Sequence, residues 1–100
     1  MNNVIDKNID KIIEICKQHN ILTLFVFGSV LTENFTENSD IDLLVSFKPL
    51  ELGEYADNYF KTAESFEKVF NRPVDLITDK SLNNPYFINS VNATKKLIYG

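Results

Sequence analysis

Two motifs in the first half of the chain, Phe27-Gly28-Ser29 and Asp40-Ile41-Asp42, are separated by the ten residues 30–39. Before the first motif, the nearly continuous apolar run 21–27 predicts a short strand that is buried on both faces. From the second motif onward, polar and apolar residues alternate over 40–47, which predicts a strand with one thoroughly apolar face. The glycine and the serine therefore follow one strand, and the two aspartates begin the next.

The spacing of the two aspartates suggests a cation site. Residues two positions apart on a strand project from the same face, with Cα atoms about 6.5 Å apart, so both carboxylates can reach shared cations. Asp75, in a further predicted strand at 74–78, joins them if that strand is a neighbour of the second one. Paired divalent cations clamp the attacking and leaving oxygens of phosphoryl or nucleotidyl transfer. Asp40, Asp42 and Asp75 are therefore the candidate metal ligands and catalytic residues.

Gly28 and Ser29 are the candidate phosphate-binding residues. A glycine lets the backbone approach a ligand closely, and the serine offers a hydroxyl group and an N–H at a turn. Taken alone, a Gly-Ser pair after a strand is commonly a turn, and an isolated aspartate is commonly a cap or an acceptor. An EF-hand calcium loop fits poorly, because no further ligands follow at the required offsets. The joint spacing and the strand context favour a functional site.

Helical periodicity in the rest of the chain completes the predicted fold. Apolar positions over 5–16 predict an N-terminal helix, those over 51–71 predict the main core-covering helix, and Pro85 fits the first position of a helix that ends near Ala93. A short strand at 96–99 is also predicted. The apolar residues of the N-terminal helix form one stripe: Ile5, Ile9, Ile12, Ile13 and Cys16. Those of the core-covering helix form a second stripe, Tyr55, Tyr59, Ala63, Phe66 and Phe70, which is widened by Leu52, Ala56 and Phe60. We expect one domain, 1–100, of the α/β (α+β) class, with a small mixed β-sheet of three to four strands and helices packed on one face.

Composition narrows the function. The chain carries ten Lys and Arg against fourteen Asp and Glu, a net charge of −4, and the basic residues form no run. Stable binding to nucleic acid is therefore not expected. The single cysteine, Cys16, excludes an internal disulfide, and its apolar helix face predicts core packing, while His19 is expected to lie at a helix end. With no signal peptide and no apolar run of about 20 residues, we expect no membrane association and a cytoplasmic location.

Further motifs identify a family. Together with Phe47-Lys48-Pro49 and the run 72–77, Arg-Pro-Val-Asp-Leu-Ile, the two opening motifs closely resemble the minimal nucleotidyltransferase (MNT) family of the DNA polymerase beta superfamily. The resemblance runs over nearly the whole chain. It implies the nucleotidyltransferase fold.

The resemblance also implies roles for the candidate residues. Gly28 and Ser29 would hold the triphosphate of ATP, the nucleotide substrate. Asp40 and Asp42 would ligate two Mg²⁺ ions. Asp75 would ligate the catalytic metal and help to deprotonate the attacking hydroxyl group.

Members of this family are commonly encoded beside a HEPN-domain ribonuclease toxin, and some transfer AMP from ATP to a tyrosine of that toxin. The resemblance therefore implies an antitoxin that adenylylates a HEPN partner, as a homodimer or a hetero-oligomer. Two alternatives stay open: a catalytically weak binding module that neutralises a partner by direct contact, and a transferase that acts on a small molecule such as an antibiotic.

One departure from the family pattern concerns phosphate binding. Many relatives carry an arginine directly after the Gly-Ser pair and a second basic residue soon after, whereas this chain has Val30, Leu31 and Thr32. No Lys or Arg lies between Val30 and Ile41. Neutralisation of the phosphates is then expected from the metals, the backbone and Lys48 or Arg72. The same departure motivates the binding-module alternative.

Overall fold

The structure is a computed structural model that describes residues 3–100, with side chains from residue 4 onward. The helices are α1 (Asn3–Lys7), α2 (Ile9–Gln18), α3 (Leu52–Phe70) and α4 (Pro85–Thr94). The strands are β1 (Ile21–Phe27), β2 (Ile41–Phe47), β3 (Val74–Thr78) and β4 (Lys96–Tyr99). Single 3-10 turns follow β1 at Gly28–Leu31 and β3 at Asp79–Ser81.

The four strands form one mixed sheet in the order β3-β2-β1-β4. β1 is antiparallel to both β2 and β4, whereas β2 is parallel to β3. The parallel pair is connected through α3, as a crossover between parallel strands requires. The predicted mixed sheet is confirmed, and so is the condition that the third strand lies beside the second.

The two faces of β2 pack against different parts of the molecule. Ile41, Leu43 and Val45 are fully buried in the main core, to which α2 and α3 contribute. Leu44 points to the opposite face, where it packs with Phe27 and with Val91 of α4 in a second, smaller cluster. The prediction of helices on one face is therefore confirmed for α2 and α3, while α4 covers part of the other face, the one that also carries Asp42.

The N-terminal stripe forms two helices rather than one. The predicted helix is interrupted at Asn8, whose side chain amide donates a hydrogen bond to the carbonyl of Val4. Ile15, which the predicted stripe omits, is buried, and Ile9 and Ile13 are only half-buried. An asparagine that bonds to nearby backbone competes with helical pairing, which accounts for the interruption.

Helix α3 ends as the sequence suggests but buries a narrower stripe than predicted. Asn71 follows it with φ of +54°, the left-handed conformation that commonly ends a helix. Phe66 and Phe70 are buried, whereas Leu52 is 97% exposed and Phe60 67% exposed. Ala56 is exposed as well, so the predicted widening of the stripe is wrong.

Among residues 3–100, no helix has the combination of length and apolar character that a membrane span requires.

Candidate active site

The first motif ends β1 and begins the 3-10 turn. Phe27, the last residue of β1, pairs with Asp42 of β2. Gly28 follows with φ of +80°, a backbone conformation that residues other than glycine rarely adopt. A Cβ atom at this position would lie 2.3 Å from Oδ2 of Asp42. Both the backbone conformation and the Asp42 carboxylate therefore require glycine here.

The turn explains why the residues after the Gly-Ser pair are apolar. Val30 is 1% exposed and belongs to the main core, and Leu31 packs against the same core. The carbonyl oxygen of Ser29 accepts hydrogen bonds from the N–H of Thr32 at 2.9 Å and from its hydroxyl at 2.8 Å, which closes the turn. The turn is thus held by the packing of Val30 and Leu31 against the main core and by its own hydrogen bonds. Phosphate binding by Gly28 and Ser29 stays a prediction.

Asp42 and Asp75 lie side by side in the sheet. The parallel pairing of β2 with β3 places Asp42 opposite Asp75, with Leu43 opposite Leu76 and Ile41 opposite Val74. Directly paired residues on neighbouring strands project from the same face. The structure therefore brings these two carboxylates together through strand register alone.

The electrostatics of Asp42 reflect this crowding. Burial raises the pKa of the Asp42 carboxyl above its ordinary value, and the charges of Asp75 and then Asp40 raise it further. An opposite charge nearby would have lowered the pKa instead. The Asp42 carboxylate thus lies in a local excess of negative charge that a bound cation would relieve.

Asp40 lies immediately before β2, is exposed, and contributes to the raised pKa of Asp42. Among the side chains of residues 4–100, no three acidic, histidine or cysteine groups converge on one point as a complete protein-built metal cage. Mg²⁺ does not need such a cage, because it is commonly held by one or two carboxylates together with waters and substrate phosphates. The hard oxygen donors and the like-charge repulsion at Asp42 fit that mode of binding. Metal ligation by Asp40, Asp42 and Asp75 stays a prediction.

Sequence reasoning missed the actual role of Arg72. Its guanidinium Nη1 donates hydrogen bonds to the carbonyls of Thr36 at 3.0 Å and Ser39 at 3.1 Å, and the group stacks over the ring of Phe35 at 4.6 Å. Its Nε is buried and has no hydrogen-bond partner within residues 4–100. Arg72 therefore fixes the loop that leads directly into Asp40.

The two basic residues expected to neutralise phosphate are placed elsewhere. Arg72 is committed to the loop carbonyls. Lys48 follows the far end of β2, where its N–H donates to the carbonyl of Asn20 at 2.8 Å. Six residue steps along a strand separate it from Asp42, a distance of about 20 Å. The structure thus gives no support to Lys48 as a phosphate ligand in this site.

The surroundings of Cys16 and His19 indicate structural roles rather than catalytic ones. Burial raises the pKa of the Cys16 thiol to about 12, so the thiol stays protonated and unreactive, and core packing is confirmed. His19 lies at the C-terminal end of α2, as predicted, and its Nε2 is 3.3 Å from the hydroxyl of Ser65. Burial, and then the charge of Lys61, lowers its pKa. Neither residue belongs to the acidic site.

A Gly-Ser turn beside paired aspartates on a mixed sheet is the arrangement of a nucleotidyltransferase. The profile of the family described as polymerase beta, nucleotidyltransferase, matches residues 10–100. This chain therefore belongs to the polymerase beta nucleotidyltransferase family, and it is a nucleotidyltransferase.

Two relatives from Methanocaldococcus jannaschii are provisionally named protein adenylyltransferases. MJ1379 is 34% identical over 101 residues, which cover 93% of this chain and 98% of the relative. MJ0126 is 32% identical over 89 residues, which cover 86% of this chain and 83% of the relative.

Solved structures share the fold. A minimal nucleotidyltransferase, so assigned provisionally, superposes with a TM-score of 0.75 at 25% identity, over 96% of this chain and 95% of the other. A crystal structure of a toxin-antitoxin with AMP-PNP has a TM-score of 0.71 at 23% identity, over 93% of this chain and 73% of the other. A tri-AMPylated HEPN toxin of Shewanella oneidensis in complex with its MNT antitoxin matches with a TM-score of 0.65 at 20% identity, over 95% of this chain and 72% of the other. For the two toxin-antitoxin structures, which are 23% and 20% identical, the likeness shows a shared fold only.

Proposed function

We propose that this chain, acting as a single domain, is a Mg²⁺-dependent adenylyltransferase that transfers AMP from ATP to a tyrosine hydroxyl of a HEPN toxin and so acts as its antitoxin. The observation that carries the proposal is the pairing of Asp42 with Asp75 next to the Gly28 turn. Carboxylates gathered on one sheet face beside a turn suited to phosphate are what nucleotidyl transfer from a metal-bound triphosphate requires.

The transfer exchanges one bond at phosphorus for another. The acceptor hydroxyl oxygen bonds to the α-phosphorus of ATP while the bond from that phosphorus to the bridging oxygen of the β-phosphate breaks. Pyrophosphate leaves with the electron pair of the broken bond. The hydroxyl proton passes to the carboxylate of Asp75, which is exposed at the surface of β3 and thus accessible to an acceptor.

Asp40 and Asp42, with Asp75, would hold the metal. Bound Mg²⁺ would polarise the phosphate oxygens and stabilise the charge that develops on them. Gly28 and Ser29 would contact the triphosphate from the turn. Because Arg72 fixes the loop before Asp40, it contributes by positioning that carboxylate.

Relatives in sequence and relatives in structure both support a protein as the acceptor of AMP. The names of MJ1379 and MJ0126 point to a protein acceptor for AMP. One structure of the same fold is a complex in which the HEPN toxin carries three AMP groups. We extend both properties to this chain, with a HEPN toxin as partner in a cytoplasmic hetero-oligomer.

The test uses ATP labelled at either the α- or the γ-phosphate, incubated with Mg²⁺, this chain and a HEPN protein. We expect label in the HEPN protein from α-labelled ATP and none from γ-labelled ATP. Asp42→Asn should abolish the transfer. Asp57→Asn, the same chemical change at an exposed position of α3, should leave it intact. Transfer of the γ-label, or full transfer by Asp42→Asn, would contradict the proposal.

The absence of Lys and Arg from 30–41 favours one second candidate, the binding module that neutralises a HEPN partner without chemistry. It requires that Asp40→Asn and Asp42→Asn chains still form the complex and still protect cells that express the toxin. If the complex forms and protection is lost, catalysis is needed and the binding module is excluded.

A further inference from the structure

The strand β3 lies at the edge of the sheet, so another strand pairs with only one side of its backbone. The N–H of Ile41 donates to the carbonyl of Pro73 at 3.1 Å, and the register pairs Ile41 with Val74. In such a parallel ladder alternate residues bond to the neighbouring strand. The backbone groups of Asp75 therefore face β2, whereas those of Val74 and Leu76 face away from it and need other partners.

Two side chains of α3 supply such partners, one on each side of Asp75. The hydroxyl of Tyr59 donates a hydrogen bond to the carbonyl of Leu76 at 2.5 Å. The Oε2 of Glu67 accepts a hydrogen bond from the N–H of Val74 at 3.4 Å. The two side chains are about two helical turns apart and project from the same side of α3. Asp75 is thus bracketed by α3 on the outer edge of its strand and by β2 on the inner edge.

Tyr59 makes the stronger of the two contacts. Its ring packs against the main core and meets the ring of Phe60 edge-on, with centroids 5.3 Å apart, so packing fixes the position of the hydroxyl. The acceptor is the carbonyl of Leu76, a residue that is only 4% exposed. Burial, and then the charge of Asp75, raises the pKa of the Tyr59 hydroxyl. The hydroxyl therefore stays protonated at neutral pH and remains a donor.

The two paired aspartates differ in how their strands are held. Asp42 belongs to β2, which has β1 on one side and β3 on the other. Asp75 belongs to a strand of five residues with one neighbour. A proton acceptor must lie within hydrogen-bond reach of the reacting hydroxyl, and a displacement of about 1 Å can lower a rate about 100-fold. The rate of transfer through Asp75 therefore depends on what holds the outer edge of β3.

We propose that Tyr59, assisted by Glu67, is a positioning residue that holds β3 so that the carboxylate of Asp75 meets the acceptor hydroxyl. The inference rests on the proposed function, because it assumes that Asp75 receives the proton of the acceptor. Tyr59 acts through the backbone of β3 and does not touch the nucleotide. Its loss should therefore slow the transfer of AMP and leave nucleotide binding almost unchanged.

The test uses Tyr59→Phe, which removes the hydroxyl and keeps the ring. We expect kcat for AMP transfer to a HEPN protein to fall about tenfold, because Asp75 is less well placed. Equilibrium binding of α,β-methylene-ATP, which cannot transfer AMP, should change by less than about twofold with Mg²⁺ present. Amide hydrogen exchange in β3 should become about fivefold faster, as the loss of one hydrogen bond allows.

Tyr55→Phe is the matched control for this substitution. Tyr55 lies one turn earlier in α3, and its ring meets Phe47 of β2 edge-on, with centroids 5.6 Å apart. The same removal of a hydroxyl there should leave kcat and exchange in β3 as in the wild type. Glu67→Gln keeps an oxygen acceptor for the N–H of Val74 and should also retain kcat, whereas Glu67→Ala should speed exchange in β3.

Three results would overturn the role of Tyr59 while leaving the proposed function in place. They are unchanged exchange in β3 of Tyr59→Phe, full kcat of Tyr59→Phe despite faster exchange, and an equal loss of kcat in Tyr55→Phe. Full kcat with faster exchange would make the hydrogen bond purely structural. If the folded wild-type chain transfers no AMP to a HEPN protein that it binds, the proposed function itself fails, and the role of Tyr59 fails with it.

Discussion

At the scale of single residues, Gly28 and Asp42 constrain each other. Gly28→Ala would place a methyl group 2.3 Å from Oδ2 of Asp42 at a φ of +80°. The left-handed conformation alone costs an alanine about 1–2 kcal/mol, and Asp42 must also move. We expect the free energy of unfolding, measured by urea denaturation, to fall by at least this amount, and nucleotidyl transfer to be lost.

Gly53→Ala is the control for this substitution, because an added Cβ there meets nothing within 4 Å and Gly53 lies in α3. It should raise the free energy of unfolding by up to about 1 kcal/mol. Equal effects of the two substitutions would show that the Asp42 contact does not constrain Gly28.

Asp42→Asn should stabilise the protein in the absence of Mg²⁺. Because the pKa of Asp42 is raised in the folded state, its ionisation opposes folding as the pH rises through that pKa, and asparagine removes this cost. Like charges on adjacent strands cost up to roughly 1 kcal/mol. That energy corresponds to an increase in Tm of about 4–8 °C for a domain of this size.

The measurement is thermal unfolding at neutral pH and at a pH where Asp42 is protonated in both states. The stabilisation should appear at neutral pH and vanish at low pH. Asp57→Asn removes an exposed ion pair with Lys61 instead and should leave Tm nearly unchanged. A lower Tm for Asp42→Asn at neutral pH would mean that the carboxylate makes favourable contacts in the folded protein.

At the scale of elements, Arg72 joins the loop before β2 to the start of β3. Arg72→Lys keeps the charge, but lysine lacks the planar guanidinium that stacks on Phe35 while its Nη1 donates to the Thr36 and Ser39 carbonyls. We expect amide hydrogen exchange over 32–40 to become faster, and affinity for an ATP analogue that cannot transfer AMP, measured with Mg²⁺, to fall several-fold. Exchange in β1 should stay unchanged. Unchanged exchange in the loop would exclude this tether.

The sheet is the part of the fold that the sequence predicts best. Alternation over 40–47 and the apolar run 21–27 identify β2 and β1 because burial imposes a simple pattern on strands. The sequence predicts that Asp75 joins the other aspartates if β3 lies beside β2, and the structure confirms that the strands are neighbours and pairs Asp75 directly with Asp42. The interruption at Asn8 and the position of α4 on the second face depend on one side-chain hydrogen bond and on tertiary packing of Val91, which periodicity does not contain.

The candidate site was predictable only in part, for a similar reason. Residue type and spacing single out Asp40, Asp42 and Asp75, because a cation site requires carboxylates on one face. The role of Arg72 depends on contacts between segments far apart in the chain. A long basic side chain gives no sequence signal that separates a loop tether from a phosphate ligand.

At the scale of the whole molecule, part of the net charge of −4 is concentrated at the candidate site. Asp42 and Asp75 are paired on one face with Asp40 nearby, and under the proposed function these carboxylates are balanced by Mg²⁺ rather than by an internal ion pair. Under the proposed function, part of the acidity of the chain belongs to the metal site that the substrate requires.

Intact mass spectrometry of a HEPN protein tests the central claim most directly. The HEPN protein is incubated with ATP, Mg²⁺ and the wild-type, Asp42→Asn or Asp57→Asn chain. The proposed function predicts a mass increase of one or more adenylyl groups with the wild type and with Asp57→Asn, and none with Asp42→Asn. A HEPN protein that binds the wild-type chain, in the presence of ATP and Mg²⁺, yet keeps its unmodified mass would contradict it.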